Sequence, residues 1–297
     1  MNGLSDVALI VLNYNSSDQT IKCVDHLLSF KKDFHLVIVD NKSTDDSFVK
    51  LKDHYKEDNI DILDSGANNG YSAGNNYGIR YAIEKYGIDY FTIINPDVII
   101  PCSGIFDKLL DTIKCNDDCA VVGASILNSE KYYNPVISAW KIPSKKDFIL
   151  SRSLFWEDRL NTPTNWKFRE SQSVEVECVA GCFFLGAVNI LKKAGFLDED
   201  LFMYNEEILL GYKVKQLGYK ELLRLDCFVI HDHVKRPSPK ICNYLSARKK
   251  RFNSDIILYK KIYSGCFGLI AMCFFESINR IVLFPWFAVK PFLHTNK

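Results

Sequence analysis

The sequence predicts an α/β protein: a Rossmann-like, mostly parallel central sheet flanked by helices, followed by a helical C-terminal extension. Three observations predict it. Continuous apolar runs of strand length alternate with helix-like segments through the first half of the chain. Those runs end in polar residues, at the edge where open α/β sheets bind ligands. A change of composition near residue 233 then separates this body from a basic and apolar tail.

Val7–Leu12 (VALIVL) reads as a strand buried on both faces, because its apolar residues do not alternate with polar ones. The segment after it sets Cys23, Leu27 and Leu28 on one helical face. Leu36–Asp40 (LVIVD) is a second strand and Ile60–Leu63 a short third. Ala73–Tyr86 is helical in pattern, and Tyr90–Ile94 returns to strand. This alternation implies βαβ units. Between Lys131 and Ser173 the period weakens, with Trp140, Phe155, Trp156 and Trp166 among Pro, Asn and Lys. A long surface excursion contacting the variable part of a substrate is the expectation there. From Val174, VEVECVAGCFFLGA is strand-like again, Asn189–Ala194 is a short helix, and LDEDLFMYNEEILLGYKVKQLGYK follows.

The chain has 297 residues, 47% of them apolar, enough to bury a sizeable core in one large domain or a domain with an appendage. The net charge of +1 conceals an asymmetry: Val234–Lys297 carries 12 Lys/Arg against 2 Asp/Glu, a balance of +10, which leaves −9 on the rest. Such a tail suits an anionic partner. It lacks the interleaved stacking aromatics of single-strand binders, which argues against nucleic acid and for phospholipid. Ten scattered cysteines with no CxxC pair indicate reduced thiols rather than disulfides or a zinc site. MNGLSDVALIVLNYN has no basic n-region, so no signal peptide is expected. In the tail, Glu276, Asn279 and Arg280 interrupt what would otherwise approach a membrane span of about 20 residues. The tail is expected to lie on a membrane surface or, alternatively, to dock on the body as an apolar helix.

The strand ends read Asn13-Tyr14-Asn15, Asp40-Asn41-Lys42-Ser43 and Asn95-Pro96-Asp97. The loop SGANNGYSAGNN, before the Ala73 helix, has glycines for close backbone approach and amides that suit a phosphate or a sugar. No GxGxxG follows the first strand and no GxxxxGK[ST] occurs, which counts against a dinucleotide dehydrogenase and a P-loop enzyme.

Seven segments carry a resemblance: VALIVLNYNSSDQTIKCVDHL, LVIVDNKSTDDS, NNGYSAGNNYGI, FTIINPDV, VAGCFFLGAV, LDEDLFMYNEEILLGYKVKQLGY and VIHDHVKRPS. In this order they resemble bacterial family 2 glycosyltransferases of the GT-A fold, in the rhamnosyltransferase-like and capsular-polysaccharide branch. The resemblance implies a GT-A domain over 1–233 and an extension over 234–297. It implies that Asn13, Tyr14 and Asp40 cradle the nucleoside of a nucleotide diphosphate sugar, with Asn69, Gly70 and Asn76 bordering its diphosphate and sugar. Asn95-Pro96-Asp97 stands where the fold places an Asp-x-Asp motif. Asp97 is then a ligand of Mg²⁺ or Mn²⁺, Asn95 stands in the first acid's place, and His231 or His233 is a second ligand. An inverting transfer needs a carboxylate to take the acceptor hydroxyl's proton, and YNEE supplies Glu207, with Glu206 second. Relatives often carry a further acid where this chain has Leu209.

The implied function is metal-dependent transfer from dTDP-rhamnose or a UDP-hexose to a polyprenyl-linked glycan, at the cytoplasmic face of an anionic membrane, in cell-surface polysaccharide synthesis. The alternative is a catalytically impaired GT-A-like module that binds nucleotide or glycan. Oligomeric state stays open.

Overall fold

Apolar runs without polar alternation need cover on both faces, and the computed structural model provides it. It describes residues 4–56, 60–128, 130–131, 135–152, 167–169, 172–232 and 241–293. The first half is the expected alternation: β1 (Val7–Asn13), α1 (Ser17–Ser29), β2 (His35–Asp40), α2 (Ser47–His54), β3 (Asp61–Asp64), α3 (Tyr71–Tyr86) and β4 (Tyr90–Ile94). Val7 to Val11 are completely buried. β1 pairs in parallel with β2 and β4, and β2 with β3. α3 begins at Tyr71, two residues earlier than its apolar pattern, because the turn at Gly70 (φ 99°) already directs the chain into the helix.

The second half is more mixed. It runs β5 (Val98–Ile99), α4 (Gly104–Lys114), β6 (Cys119–Leu127), α5 (Pro135–Ser138), β7 (Ala139–Trp140), α6 (Lys145–Leu150) and β8 (Lys167–Arg169). Then come β9 (Ser173–Val176), β10 (Cys178–Val179), β11 (Phe183–Ala187), α7 (Val188–Ala194), α8 (Glu206–Gln216) and β12 (Lys220–His231). The sheet order is β3-β2-β1-β4-β11-β6-β12-β9-β8, with β5 joined to β12. β11 is antiparallel to both β4 and β6 and lies between them.

Two local readings change. VEVECVAGCFFLGA is three strands rather than one, since β10 leaves the main sheet to pair with β7. The stretch expected as a surface excursion also supplies core: Phe148 of α6 is completely buried. Phe155, Trp156 and Trp166 lie outside the described residues.

The tail forms two helices, α9 (Ile241–Ile262) and α10 (Cys266–Leu293). They dock on the body through a second hydrophobic cluster that joins Leu258, Tyr259 and Met272 to Phe148, Cys178, Leu201, Ile208 and Leu209. The polar interruption in α10 is its inward face. Glu276 and Asn279 are buried. Arg248 of α9 holds Glu276 (Nη2–Oε2 2.7 Å), and Asn279 Nδ2 donates to the Arg152 carbonyl (2.6 Å). The outward face is apolar: Phe267 (81% exposed), Ile270, Phe274, Ile278 and Ile281. No helix among the described residues is long and apolar enough to cross a membrane. Cys242 apart, the cysteines are free thiols.

Candidate active site

Asn95-Pro96-Asp97-Val98 is a β-turn at the carboxyl end of β4. The Asn95 carbonyl accepts from Val98 N–H (3.0 Å), with Pro96 at the position where a fixed φ favours the turn. Asn95 N–H donates to the Cys182 carbonyl (2.9 Å), so the turn is tied to the start of β11. On its other side, Asp232 N–H donates to the Asp97 carbonyl (2.9 Å). A register shift in β12 between Arg224 and Phe228 carries the strand end across to β5, where His231 pairs with Val98. Irregularities of this kind re-aim side chains beside functional sites. The result is His231 Nε2 at 3.3 Å from Asp97 Oδ1. His233 lies outside the described residues.

This pair fits a divalent cation. A carboxylate suits Mg²⁺ or Mn²⁺, and Mg²⁺ usually takes one or two protein carboxylates, completing its shell with substrate phosphates and water. Donors 3.3 Å apart can be neighbours in a shell with bonds of about 2.1 Å. Among the described residues no group of three or more His, Cys, Asp or Glu could hold a metal.

The first two strand ends converge, but toward each other. Asn13 Nδ2 donates to Asp40 Oδ1 (2.7 Å), while Asn13 Oδ1 accepts from Thr20 Oγ1 (2.8 Å) and Ser16 Oγ (3.2 Å). Asp40 also accepts from the N–H and hydroxyl of Ser43 (2.8 and 2.6 Å). Both side chains are buried. These two side chains shape the loop, and Tyr14 (44% exposed) is a side chain that loop presents.

Asn76 is likewise bonded within the protein. Its amide donates to the Leu197 carbonyl (2.8 Å) and Glu199 Oε1 (2.9 Å) and accepts from Leu197 N–H (3.2 Å). A buried amide bonded on both sides holds α3 to the segment before α8. Asn69 is exposed at the loop tip. Gly70 lies against the Phe202 carbonyl, and a Cβ there would come within 2.2 Å of that oxygen.

Glu206 and Glu207 open α8. Glu207 is partly buried, and its Oε1 accepts from Gly181 N–H (3.2 Å). Glu206 is buried, and its Oε2 has no hydrogen-bond partner. Burial pushes both carboxyls above the usual carboxylate range, and the neighbouring Glu207 charge adds to the shift of Glu206. The amides of Glu207 itself and Gly181 oppose the shift on Glu207, which makes it the better placed to ionise. Leu209 stands in the second hydrophobic cluster against α9. An acid at that position would be buried there without water.

Tyr71 is a site residue that pattern reading missed. Its hydroxyl donates to the Gly181 carbonyl (2.7 Å). Burial, and then the charges of Glu206, Glu207 and Asp97, push its phenol well above the usual range. Gly181 thus joins Tyr71, through its carbonyl, to Glu207, through its N–H. The only available signal was the place of Tyr71 directly after Gly70 in NNGYSAGNN.

A family model described as glycosyl transferase family 2 matches residues 8–173. The chain belongs to glycosyl transferase family 2. The match covers the sheet from β1 to the start of β9, including the turn at Asp97. Among curated proteins, this family 2 chain is 30% identical over 213 residues to the low-salt glycan biosynthesis hexosyltransferase Agl10 of Haloferax volcanii. The alignment covers 72% of the chain and 62% of that relative. Two solved structures share its fold at 14% identity. One is GalNAc-T7 with UDP, GalNAc and Mn²⁺ (TM-score 0.58; 84% of this chain, 48% of that one). The other is the mannosyltransferase PcManGT from Pyrobaculum calidifontis with GDP-Man and Mn²⁺ (TM-score 0.56; 93% and 75%). The family 2 chain thus has the expected GT-A fold, with a helical C-terminal region added.

Proposed function

We propose that the protein is a metal-dependent, inverting glycosyltransferase. It moves a hexose or deoxyhexose from a nucleotide diphosphate sugar to a lipid-linked glycan at the cytoplasmic surface of a membrane, in cell-surface polysaccharide synthesis. One observation carries this reading: adjacent backbone groups join the two sides at the carboxyl edge of the sheet, with Gly181 N–H donating to Glu207 Oε1 (3.2 Å) and the Cys182 carbonyl accepting from Asn95 N–H of the Asp97 turn (2.9 Å). Transfer needs such a combination, a base on the acceptor side and a charge-neutralising site on the leaving-group side.

Asp97 and His231 are the residues to hold Mg²⁺ or Mn²⁺, and the bound ion supplies neutralisation of charge on the departing diphosphate. Tyr14 offers its ring to the nucleoside, and the loop at Asn69 and Gly70 borders the diphosphate. Glu207, fixed at Oε1 by Gly181 N–H, takes the proton from the acceptor hydroxyl. Glu206 lies buried beside it, and burial together with the Glu207 charge pushes its carboxyl upward, which disfavours a second negative charge next to that base. The hexosyltransferase relative favours a hexose donor.

The membrane reading rests on α10. Five exposed apolar side chains on its outer face suit the boundary between headgroups and acyl chains. The basic RKKR run contributes less than its composition suggested. Arg248 is spent on Glu276, and Lys250 and Arg251 lie over the rings of Phe202 and Tyr204. The apolar stripe, with Lys249 and Arg280 exposed nearby, carries the surface attachment.

The deciding experiment measures nucleotide release from UDP-, dTDP- and GDP-sugars with Mn²⁺, for the full chain and for Glu207→Gln. Turnover that disappears in Glu207→Gln supports the enzyme. Metal-dependent nucleotide binding with no turnover on any donor supports a binding module instead.

A further inference from the structure

The segment that delivers the two acids has a costly backbone. Tyr204 (φ 74°) and Asn205 (φ 68°) both adopt the left-handed region immediately before Glu206, and neither is glycine. Residues with a Cβ resist that conformation, so the surroundings must hold it. At one end Tyr71 N–H donates to the Phe202 carbonyl (2.8 Å). The remaining hold comes from α9, which belongs to the C-terminal extension. Lys250 Nζ lies 4.8 Å above the Phe202 ring, and Ser254 Oγ donates to the Met203 carbonyl (2.6 Å). The Arg251 guanidinium lies 5.9 Å from the Tyr204 ring centre, and Asp255 Oδ1 accepts from Asn205 Nδ2 (2.8 Å).

Each of the four residues before Glu206 therefore meets one residue of α9. Positions 250, 251, 254 and 255 share a helical face because three- and four-residue steps bring side chains together. The anchor itself is fixed. Ser254 and Asp255 are buried, and Arg152 Nη1 lies 2.5 Å from Asp255 Oδ2. Asn205 occupies the N-cap of α8 yet makes no side-chain capping bond, its amide being used on Asp255. Further along α9, Lys261 bridges Asp198 and Asp200 at 2.6 Å each, tying the start of the same segment to the same helix.

We propose that Ser254 and Asp255 are positioning residues for the transfer reaction: they hold Tyr204 and Asn205 in left-handed backbone and thereby aim Glu207. The inference rests on Glu207 being the base. It makes the extension part of the catalytic apparatus as well as a surface anchor, so its removal costs activity even on an acceptor that needs no membrane.

The test uses the full chain and the variants Ser254→Ala, Asp255→Ala, Asn205→Gly and Asn205→Gly/Asp255→Ala, with Glu207→Gln alongside. Amide exchange over residues 203–209, melting temperature, and kcat and KM with the best wild-type donor among UDP-glucose, GDP-mannose and dTDP-rhamnose are measured with Mn²⁺. Losing a hydrogen bond to a buried charged group corresponds to about 10- to 100-fold. Exchange should rise and kcat fall in that range for Asp255→Ala, with donor KM within about 2-fold of wild type. Glycine tolerates the left-handed φ without a tether, so Asp255→Ala should cost little more once Asn205→Gly is present. Wild-type exchange and kcat in Asp255→Ala overturn the proposal. So does a loss that follows melting temperature and donor KM together, or one undiminished in the Asn205→Gly background. If Glu207→Gln turns over at the wild-type rate, the base assignment fails. If Glu207→Gln is inactive and Asp255→Ala is not, only the positioning claim fails.

Discussion

His231 Nε2 stands 3.3 Å from Asp97 Oδ1, although one residue ends β12 and the other sits in the turn after β4. Two pieces of backbone produce the meeting: the short antiparallel pairing of β5 with the end of β12, and the Asp232 N–H bond to the Asp97 carbonyl. Asp97 therefore has a partner of the kind a cation site needs, on a rigid sheet edge.

The position of Glu207 has a kinetic signature. A base works only when ionised, and burial raises this carboxyl above its ordinary 4.5. The acid limb of kcat/KM should therefore lie above pH 4.5 and fall about tenfold per pH unit below its midpoint. A pH–rate profile with any donor that turns over checks this. Glu207→Gln should lose about 100-fold or more on the plateau above that midpoint and should lack the acid limb.

Gly181 leaves no room for a side chain. A Cβ would come within 2.8 Å of Glu207 Oε1, whose carboxylate the Gly181 N–H also holds. Gly181→Ala should lower kcat by about tenfold or more by displacing the base, with donor KM close to wild type. Steady-state kinetics separates the two parameters.

Glu221 should make stability depend on pH. It is 2% exposed, its Oε2 accepts from Val179 N–H (2.8 Å), its Oε1 has no hydrogen-bond partner, and burial pushes it from 4.5 to about 8. Below pH 4.5 folded and unfolded chains both hold the proton. Between 4.5 and about 8 only the folded chain retains it, so this contribution to stability is lost as pH rises through that window. Glu221→Gln keeps an acceptor for Val179 without the charge. It should raise the unfolding free energy at pH 8.5 by on the order of a few kcal/mol, seen as a higher melting temperature, and change it little at pH ~4.

The outer face of α10 should govern membrane binding without governing the fold. Phe274 and Ile270 are 61% and 64% exposed, so Phe274→Glu and Ile270→Glu remove little packing. Each should weaken partition onto vesicles containing anionic lipid by about tenfold, with an unchanged melting temperature. Vesicle sedimentation and thermal unfolding measure the two separately.

The sheet was legible because its strands are unbroken apolar runs, and the place of Asp97 just beyond a strand end was legible from the same pattern. The partners of Asn13, Asp40 and Asn76 within the protein were not, for a common reason. A polar residue at a strand end or helix start satisfies itself as readily on another buried side chain as on a ligand. The partners that decide the matter, Ser43 for Asp40 and Leu197 for Asn76, are set by tertiary structure. α10 shows the same limit. Its pattern reveals that Glu276 and Asn279 share a face, but only Arg248 on α9 makes that face the inner one. Leu209 packs in the second hydrophobic cluster with Leu258 and Tyr259 of α9, a contact no local pattern shows.

The most direct test of the central claim is calorimetric titration of UDP, dTDP and GDP into the wild type and Asp97→Ala, each with and without Mn²⁺. At least one nucleoside diphosphate should bind the wild type only when the ion is present, and Asp97→Ala should abolish that binding. Equal affinity with and without Mn²⁺, or wild-type affinity in Asp97→Ala, would contradict it.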